Sequence, residues 1–251
     1  MRSEVHIKLN DLAFPNLPPY PRDDVRFRQS VVDSIDREYE GFRRFGNVDV
    51  TFFGDFVCIA LTTHDQVNPV SIAVEELKAG RLAEGISLVR FLLACAPDEP
   101  NLLYLLGSAL SDIGELDEAE GCLCRAIELR PTFSDAMVNL GVALDRMMRP
   151  VDAIRILRKA LNLDPANAHA HRNLGGCLAK SGRDFAEAQY HFERAVQILP
   201  TDQQAWFGLA GLYFSLGQTD ASRAACHRVL AIDPGGSLSA HARNLLDRLR
   251  R

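Results

Sequence analysis

Thiols, imidazoles and carboxylates are the side chains most able to do covalent or metal chemistry, and this 251-residue chain gathers them at few places. Asp55, Cys58, His64 and Asp65 lie close together, and a cysteine with a histidine is the minimum for thiolate nucleophilic catalysis. Against a thiol enzyme, Cys58 stands in an apolar strand-like run where a thiol is inert. Nothing nearby supplies an oxyanion hole or an orienting group. His169 and His171 form an H-A-H pair, but His171 falls in a core-facing slot and no carboxylate or thiolate pair is close in sequence. Cys122 and Cys124 are two residues apart on one helix, so they project to different faces, which is poor ligand geometry. The expectation is no catalytic centre, no metal site and no cofactor. The six cysteines, Cys58, Cys95, Cys122, Cys124, Cys177 and Cys226, are expected as buried reduced thiols of a cytoplasmic protein.

Composition narrows the partners. With 28 Lys and Arg against 33 Asp and Glu the formal charge is -5, and neutralising phosphates needs clustered cations. Nucleic acid is therefore not an expected partner. Glu4, His6, Lys8 and Asp11 interrupt the first residues where a secretory signal needs an apolar core. No apolar run approaches the roughly 20 residues that cross a bilayer, so membrane insertion is not expected.

The elements that would position these groups fall into two kinds. In residues 1–65, Val5, Ile7 and Leu9 alternate with polar residues as in a half-buried strand. A connector with Pro15, Pro18, Pro19 and Pro21 comes next. From Asp23 to Phe45 apolar residues return every three or four positions, predicting a helix of about five turns. Val48 to Phe53 and Phe56 to Thr62, separated by Gly54-Asp55, read as a β-hairpin. Strand, helix, strand, strand predicts a small α/β module with a three-stranded sheet. Its expected roles are to cover the first end of the helical array beyond it or to offer a sheet edge to another chain.

After residue 65 the chain repeats. Pro97, Pro131, Pro165, Pro200 and Pro234 are spaced by 34, 34, 35 and 34 residues, a period that signals stacked helical hairpins. Counting Ser134 as position 1, the unit has Met137 at 4, Leu140 and Gly141 at 7 and 8, Leu144 at 11, Ala153 at 20, Leu157 at 24, Ala160 at 27 and Pro165 at 32. The unit from Pro100 matches through Leu103, Leu106, Gly107, Leu110, Gly114, Ala119, Leu123, Ala126 and Pro131. The unit from Ala168 matches through His171, Leu174, Gly175, Leu178 and Gly182, slips by one residue, and recovers at Ala188, Phe192, Ala195 and Pro200. The unit from Gln203 has Trp206, Leu209, Ala210, Tyr213, Gly217, Ser222, Cys226, Val229 and Pro234.

This pattern resembles that of tetratricopeptide repeat (TPR) proteins, over roughly three quarters of the chain. The resemblance implies a mostly α fold: a right-handed TPR α-solenoid of about five helical hairpins with a C-terminal capping helix, added to the α/β module. The expected division is 1–65 for the module, 66–236 for the array (66–99, 100–133, 134–167, 168–202 and 203–236) and 237–251 for the cap. The first repeat is degenerate, with Pro69 at 4, Glu76 at 11, Gly85 at 20 and Leu92 at 27, as suits an end unit that meets something other than a repeat. Asn68-Pro69 still makes a sound helix start. In the third unit Met148 holds the slot where others place glycine and Pro150 follows, so that helix must end there without glycine. Leu238, Ala242, Leu245, Leu246 and Leu249 form the apolar stripe of the cap, with Arg243, Asp247, Arg248 and Arg250 opposite.

In TPR proteins the first helix of each repeat lines a concave groove. Carried over by position, the resemblance implies groove residues Asn101, Tyr104, Ser108 and Asp112, then Asp135, Asn139, Asp145 and Arg146. His169, Arg172, Asn173 and Lys180 come next, then Gln204, Phe207 and Phe214, so that character passes from acidic to basic to aromatic. Asn139 and Asn173 share position 6, where asparagines of such arrays hold an extended peptide backbone, and one amide offers both donor and acceptor; Leu105 and Gly208 interrupt that series. Position 9 holds Val74, Ser108, Val142, Gly176 and Gly211, which removes the carboxylate clamp of cochaperones. The expected function is a non-enzymatic adaptor or assembly factor that binds a protein segment in the groove. The alternatives are a scaffold that forms a homo-oligomer through the N-terminal hairpin, a secretion or complex-assembly chaperone, and, least favoured, the thiol enzyme.

Overall fold

The computed structural model describes residues 2–8, 25–53, 56–63, 68–182 and 184–250. The proline-rich connector, Leu9, the Asp23 and Asp24 start, the Gly54-Asp55 turn, His64 and Asp65 lie outside the described residues. The chain forms two compact units, Met1–Leu129 and Arg130–Arg251.

The first unit begins with strand β1 (Arg2–Lys8), helix α1 (Val25–Glu38), a 3₁₀ helix (Glu40–Arg44), and strands β2 (Gly46–Phe53) and β3 (Phe56–Thr63). The sheet runs β1-β3-β2, antiparallel throughout. The central strand β3 is buried along Val57, Cys58, Ile59, Ala60 and Leu61, in keeping with its unbroken apolar run, and both its edges are paired. On one face Val5 opposes Ile59, Val50 opposes Ile59 from the other side, and Val48 opposes Leu61. This face packs with Phe27, Val31 and Ile35 of α1 into one core.

The predicted five-turn helix is shorter: α1 stops at Glu38, and a 3₁₀ turn carries the chain to Arg44. The break at Tyr39 (φ -106°, ψ 19°) brings both Tyr39 and Phe42 into the core, with Tyr39 edge-on to Phe91 at 5.7 Å. Gly41 permits the approach, because a Cβ there would stand 2.9 Å from Glu84 Cγ. Burial of these two aromatic side chains therefore outweighs the hydrogen bonds of a continued helix.

Two helical hairpins complete this unit: α2 (Pro69–Lys78) with α3 (Leu82–Cys95), and α4 (Pro100–Ile113) with α5 (Leu116–Leu129). Asn68 caps α2 by accepting from Val70 N, with Pro69 at the first position. The sheet, α1 and these hairpins share one apolar core, in which Ile72, Leu88, Val89 and Phe91 join Ile35 and Leu61. Glu76, where other repeats place an apolar residue, is buried beneath Arg44 and Arg81. Arg44 Nη2 stands 2.9 Å from Glu76 Oε2, and the Arg81 guanidinium holds both carboxylate oxygens. The degenerate first repeat thus replaces an apolar contact by a salt link to the segment before it.

The second unit holds α6 (Ser134–Arg146), α7 (Pro150–Leu163), α8 (Ala168–Ser181), α9 (Phe185–Ile198), α10 (Gln203–Ser215), α11 (Thr219–Ile232) and α12 (Ser237–Arg248). They pair as α6/α7, α8/α9 and α10/α11, with α12 against α10 and α11. Gly141 sets one close approach, since a Cβ would lie 2.6 Å from Leu157 Cγ. Leu157 is fully buried there, and truncating such a leucine costs about 2–5 kcal/mol. Met148 ends α6 left-handed, with φ 60° and its side chain in solvent. The cap α12 buries Ser239, Ala242 and Leu245, and Gln203 Nε2 joins it to α11 through Val229 O, Asp233 O and Ser239 Oγ.

Candidate functional site

On α8, Arg172, Asn173, Gly176 and Lys180 recur at helical spacing and share one face. Together with Gly141, Val142 and Asp145 of α6 and Gln204, Phe207 and Gly208 of α10 they line a cleft of about 340 Å³ whose floor includes Phe192 of α9 and Cys177. Glycine makes the opening. A Cβ at Gly208 would stand 2.4 Å from Phe192 Cε1, whereas one at Gly176 would meet nothing within 4 Å. The first glycine lets the ring reach the cleft, and the second leaves room above it.

The charges in the cleft are paired. Lys180 Nζ is 2.5 Å from Asp145 Oδ2, and Arg172 Nη1 is 2.8 Å from Asp202 Oδ2. Asp202 also caps α10 by accepting from Ala205 N. Within the cleft the charges read along the sequence are therefore cancelled pair by pair, and the remaining chemistry there is amide and aromatic. Gln204 is exposed and makes no side-chain hydrogen bond among the described residues. Burial and the neighbouring Asp145 charge push the Cys177 thiol up to about 12, so it stays protonated at neutral pH.

Not all the positions carried over from the family pattern gather here. Asn139 is half-buried outside the lining, Arg146 is exposed outside it, and Asp135 is 3.5 Å from Asn167 Nδ2. His169 is exposed, 4.0 Å from Asp202 Oδ2. Phe214 lies under the Arg248 guanidinium at 4.6 Å. In the first unit Tyr104, Ser108 and Asp112 line a separate hollow of about 210 Å³ with Val74, Leu77 and Leu105. Asn101 turns to the start of α4, donating to Glu99 Oε1 at 2.8 Å. The asparagine ladder thus has one rung in the cleft, Asn173. Gly176, Gly208 and Phe192 are the residues that sequence reasoning passed over. Their signal was present: the two glycines read as a missing clamp and a gap, when a small residue inside a helix also marks a close approach.

The larger hollow, about 820 Å³, lies along α7 and the start of α9, lined by Val151, Ile154, Arg155, Arg158 and Glu187. Two of its cations, Arg155 and Arg158, pair with Asp152 and Glu187, it contains no aromatic side chain, and none of the expected groove residues lines it. Size alone does not make it the better site.

The H-A-H pair divides. His171 Nδ1 faces His191 Nδ1 at 2.8 Å inside the α8/α9 hairpin, and its Nε2 is 3.1 Å from Pro165 O. Burial holds both imidazoles below their usual pKa. Of the six thiols, Cys58, Cys177 and Cys226 are buried, Cys122 and Cys124 are half-buried, and Cys95 is exposed. No helix among the described residues is long and apolar enough to cross a membrane.

Known proteins bear on this geometry. Tetratricopeptide repeat-containing protein trd-1 of Caenorhabditis elegans is 32% identical over 126 residues, covering 49% of this chain and 15% of that protein. The chain therefore spans only a small part of that relative. The crystal structure of TTC0263, a thermophilic TPR protein of Thermus thermophilus, superposes with TM-score 0.63 at 23% identity, over 71% of this chain and 97% of that one. YrrB, described as a TPR protein with an unusual peptide-binding site, matches with TM-score 0.53 at 19% identity over 72% and 92%. Three family models, each described as tetratricopeptide repeat, match residues 100–133, 138–203 and 183–249. They fall on the helical hairpins from α4 to α12 and together cover more than half of the chain, which belongs to the tetratricopeptide repeat family.

Proposed function

We propose that the protein is a non-enzymatic adaptor that holds an extended protein segment in the α6/α8/α10 cleft. The observation that carries this reading is the glycine-opened cleft itself, in which Asn173 and Gln204 flank an aromatic floor of Phe192 and Phe207. A primary amide can donate to a peptide carbonyl and accept from a peptide N–H at once, and an aromatic floor takes an apolar side chain. Repeat arrays work by presenting such surfaces, and YrrB, of like fold, is described as having a peptide-binding site. The charged walls, already paired, add little net affinity and serve to hold the cleft open.

Gly176→Leu tests this without disturbing the fold, because the new side chain enters open space and leucine favours a helix over glycine by up to about 1 kcal/mol. Capture of partners from a lysate of the source cells should fall at least about tenfold, equivalent to 1.4 kcal/mol, while helicity holds. Undiminished capture would refute the cleft.

A second reading, self-association through the N-terminal hairpin, is favoured by one feature. Among the described residues β2 pairs only with β3, leaving its outer backbone edge for another strand. Light scattering across a concentration series tests it, and a mass that stays monomeric excludes it.

A further inference from the structure

Strand pairing in the first unit assembles a ligand set that no repeat motif contains. Because β1 alternates, Val5 enters the core while Glu4 and His6 project from the opposite face of the sheet. In the antiparallel register His6 stands directly opposite Cys58 of the central strand. Glu4 Oε1 is 2.9 Å from Cys58 Sγ and 3.3 Å from His6 Nε2, and the three candidate ligand atoms all lie within 4.8 Å of one another. Two tetrahedral ligands held at about 2.0–2.3 Å from an ion stand about 3.4 Å apart, so the trio is already close to the required spacing.

We propose that Glu4, His6 and Cys58 form a binding site for a borderline-soft divalent cation of the zinc class. A thiolate, an imidazole and a carboxylate are the three donor types that zinc takes, and a site with three protein ligands keeps its fourth position for water. The parts differ in mobility in a useful way. Cys58 is fixed on the central strand at 3% exposure, while the His6 and Glu4 side chains are 56% and 36% exposed and swing to close on the ion. The open side of the trio is the solvent side. On binding, the Cys58 thiol gives up its proton to solvent and the hydrogen bond to Glu4 is replaced by two metal–ligand bonds. The ion then acts as a clasp. It fastens β1 to β3 in addition to their backbone pairing, and Cys95 of α3 also holds β1, its Sγ donating to Glu4 O at 3.2 Å.

The test uses the full chain stripped with chelator and titrated with Co²⁺ alone, whose thiolate charge-transfer and tetrahedral d–d bands report the ligands. One equivalent should bind with a thiolate band. Cys58→Ser should abolish that band, and Cys95→Ser, removing the nearby thiol, should leave it. His6→Ala, at an exposed position that the fold does not need, should weaken Co²⁺ binding by more than about tenfold, since even outer-shell changes cost that much. Zn²⁺ should raise the melting temperature of the parent chain and not of Cys58→Ser. Absence of a thiolate band, a band that survives in Cys58→Ser, or unchanged affinity in His6→Ala would each overturn the site.

Discussion

Met148 and Glu76 each break the repeat pattern, and each has a local physical reason. Met148 ends α6 at φ 60°, a conformation that costs an L-residue about 1–2 kcal/mol and glycine nothing. Glycine costs about 0.5–1 kcal/mol more chain entropy on folding. Met148→Gly should therefore leave stability unchanged or raise it by up to about 1 kcal/mol, and Met148→Val should lower it by about 1 kcal/mol or more; urea denaturation of the three proteins checks both. Glu76 is held below the usual carboxylate range, first by the Arg81 hydrogen bond and then by the charges of Arg44 and Arg81 against burial. Both arginines are about half exposed, so solvent screening discounts the pair. Glu76→Gln should cost about 1–2 kcal/mol, and Glu76→Leu, which restores an apolar residue, should cost less. The sign in pH is that of a depressed carboxyl. The contribution is complete above the unfolded value of about 4.3 and is lost as pH falls below it, and it should vanish from the acid limb of the Glu76→Leu stability profile.

The α8/α9 hairpin carries a pH dependence of the opposite origin. His171 and His191 face each other through their Nδ1 atoms at 2.8 Å, and burial depresses both, with His171 adding repulsion at His191. Arg194 and Arg158 oppose the charged forms as well, while Asp164 and Glu187 favour them and are outweighed by desolvation. In the unfolded chain these rings bind protons near pH 6.5, before the folded ones do. Stability is therefore full above about 6.5 and falls as pH drops below it. Denaturation midpoints from pH 8 to pH 5 should show that decline, and His191→Leu should flatten it. At this scale the hairpins were legible from residue spacing, because small residues at fixed positions are what let two helices touch. The α1 break was not, because the pattern through Tyr39 and Phe42 is helical and only their packing against Phe91 and its neighbours ends the helix.

Across the molecule, the N-terminal sheet and the first repeats share one core. Removing residues 1–67 would uncover Ile72, Leu88, Val89 and Phe91, all now buried with the sheet and α1. Hydrogen exchange on a chain beginning at Asn68 should show α2 and α3 losing protection relative to the full chain. Retained protection would mean that these helices are held without the sheet. The first repeat is degenerate for this reason: its packing partner on that side is a sheet and a 3₁₀ turn, and Glu76 is tuned to Arg44 of that turn.

Periodicity was enough to establish the repeats, their helix ends and the family, because those depend on contacts between residues close in sequence or one period apart. Position within a repeat could nominate groove residues but not choose among them. Asn173 lines the cleft and Asn139 does not, and Asp145 and Arg172 are claimed by Lys180 and Asp202. Nor could spacing bring Glu4 and His6 to Cys58, which stand more than fifty residues away along the chain. Such pairings depend on which side chains the packing leaves adjacent, and strand register and helix stacking fix that only when the whole unit has folded.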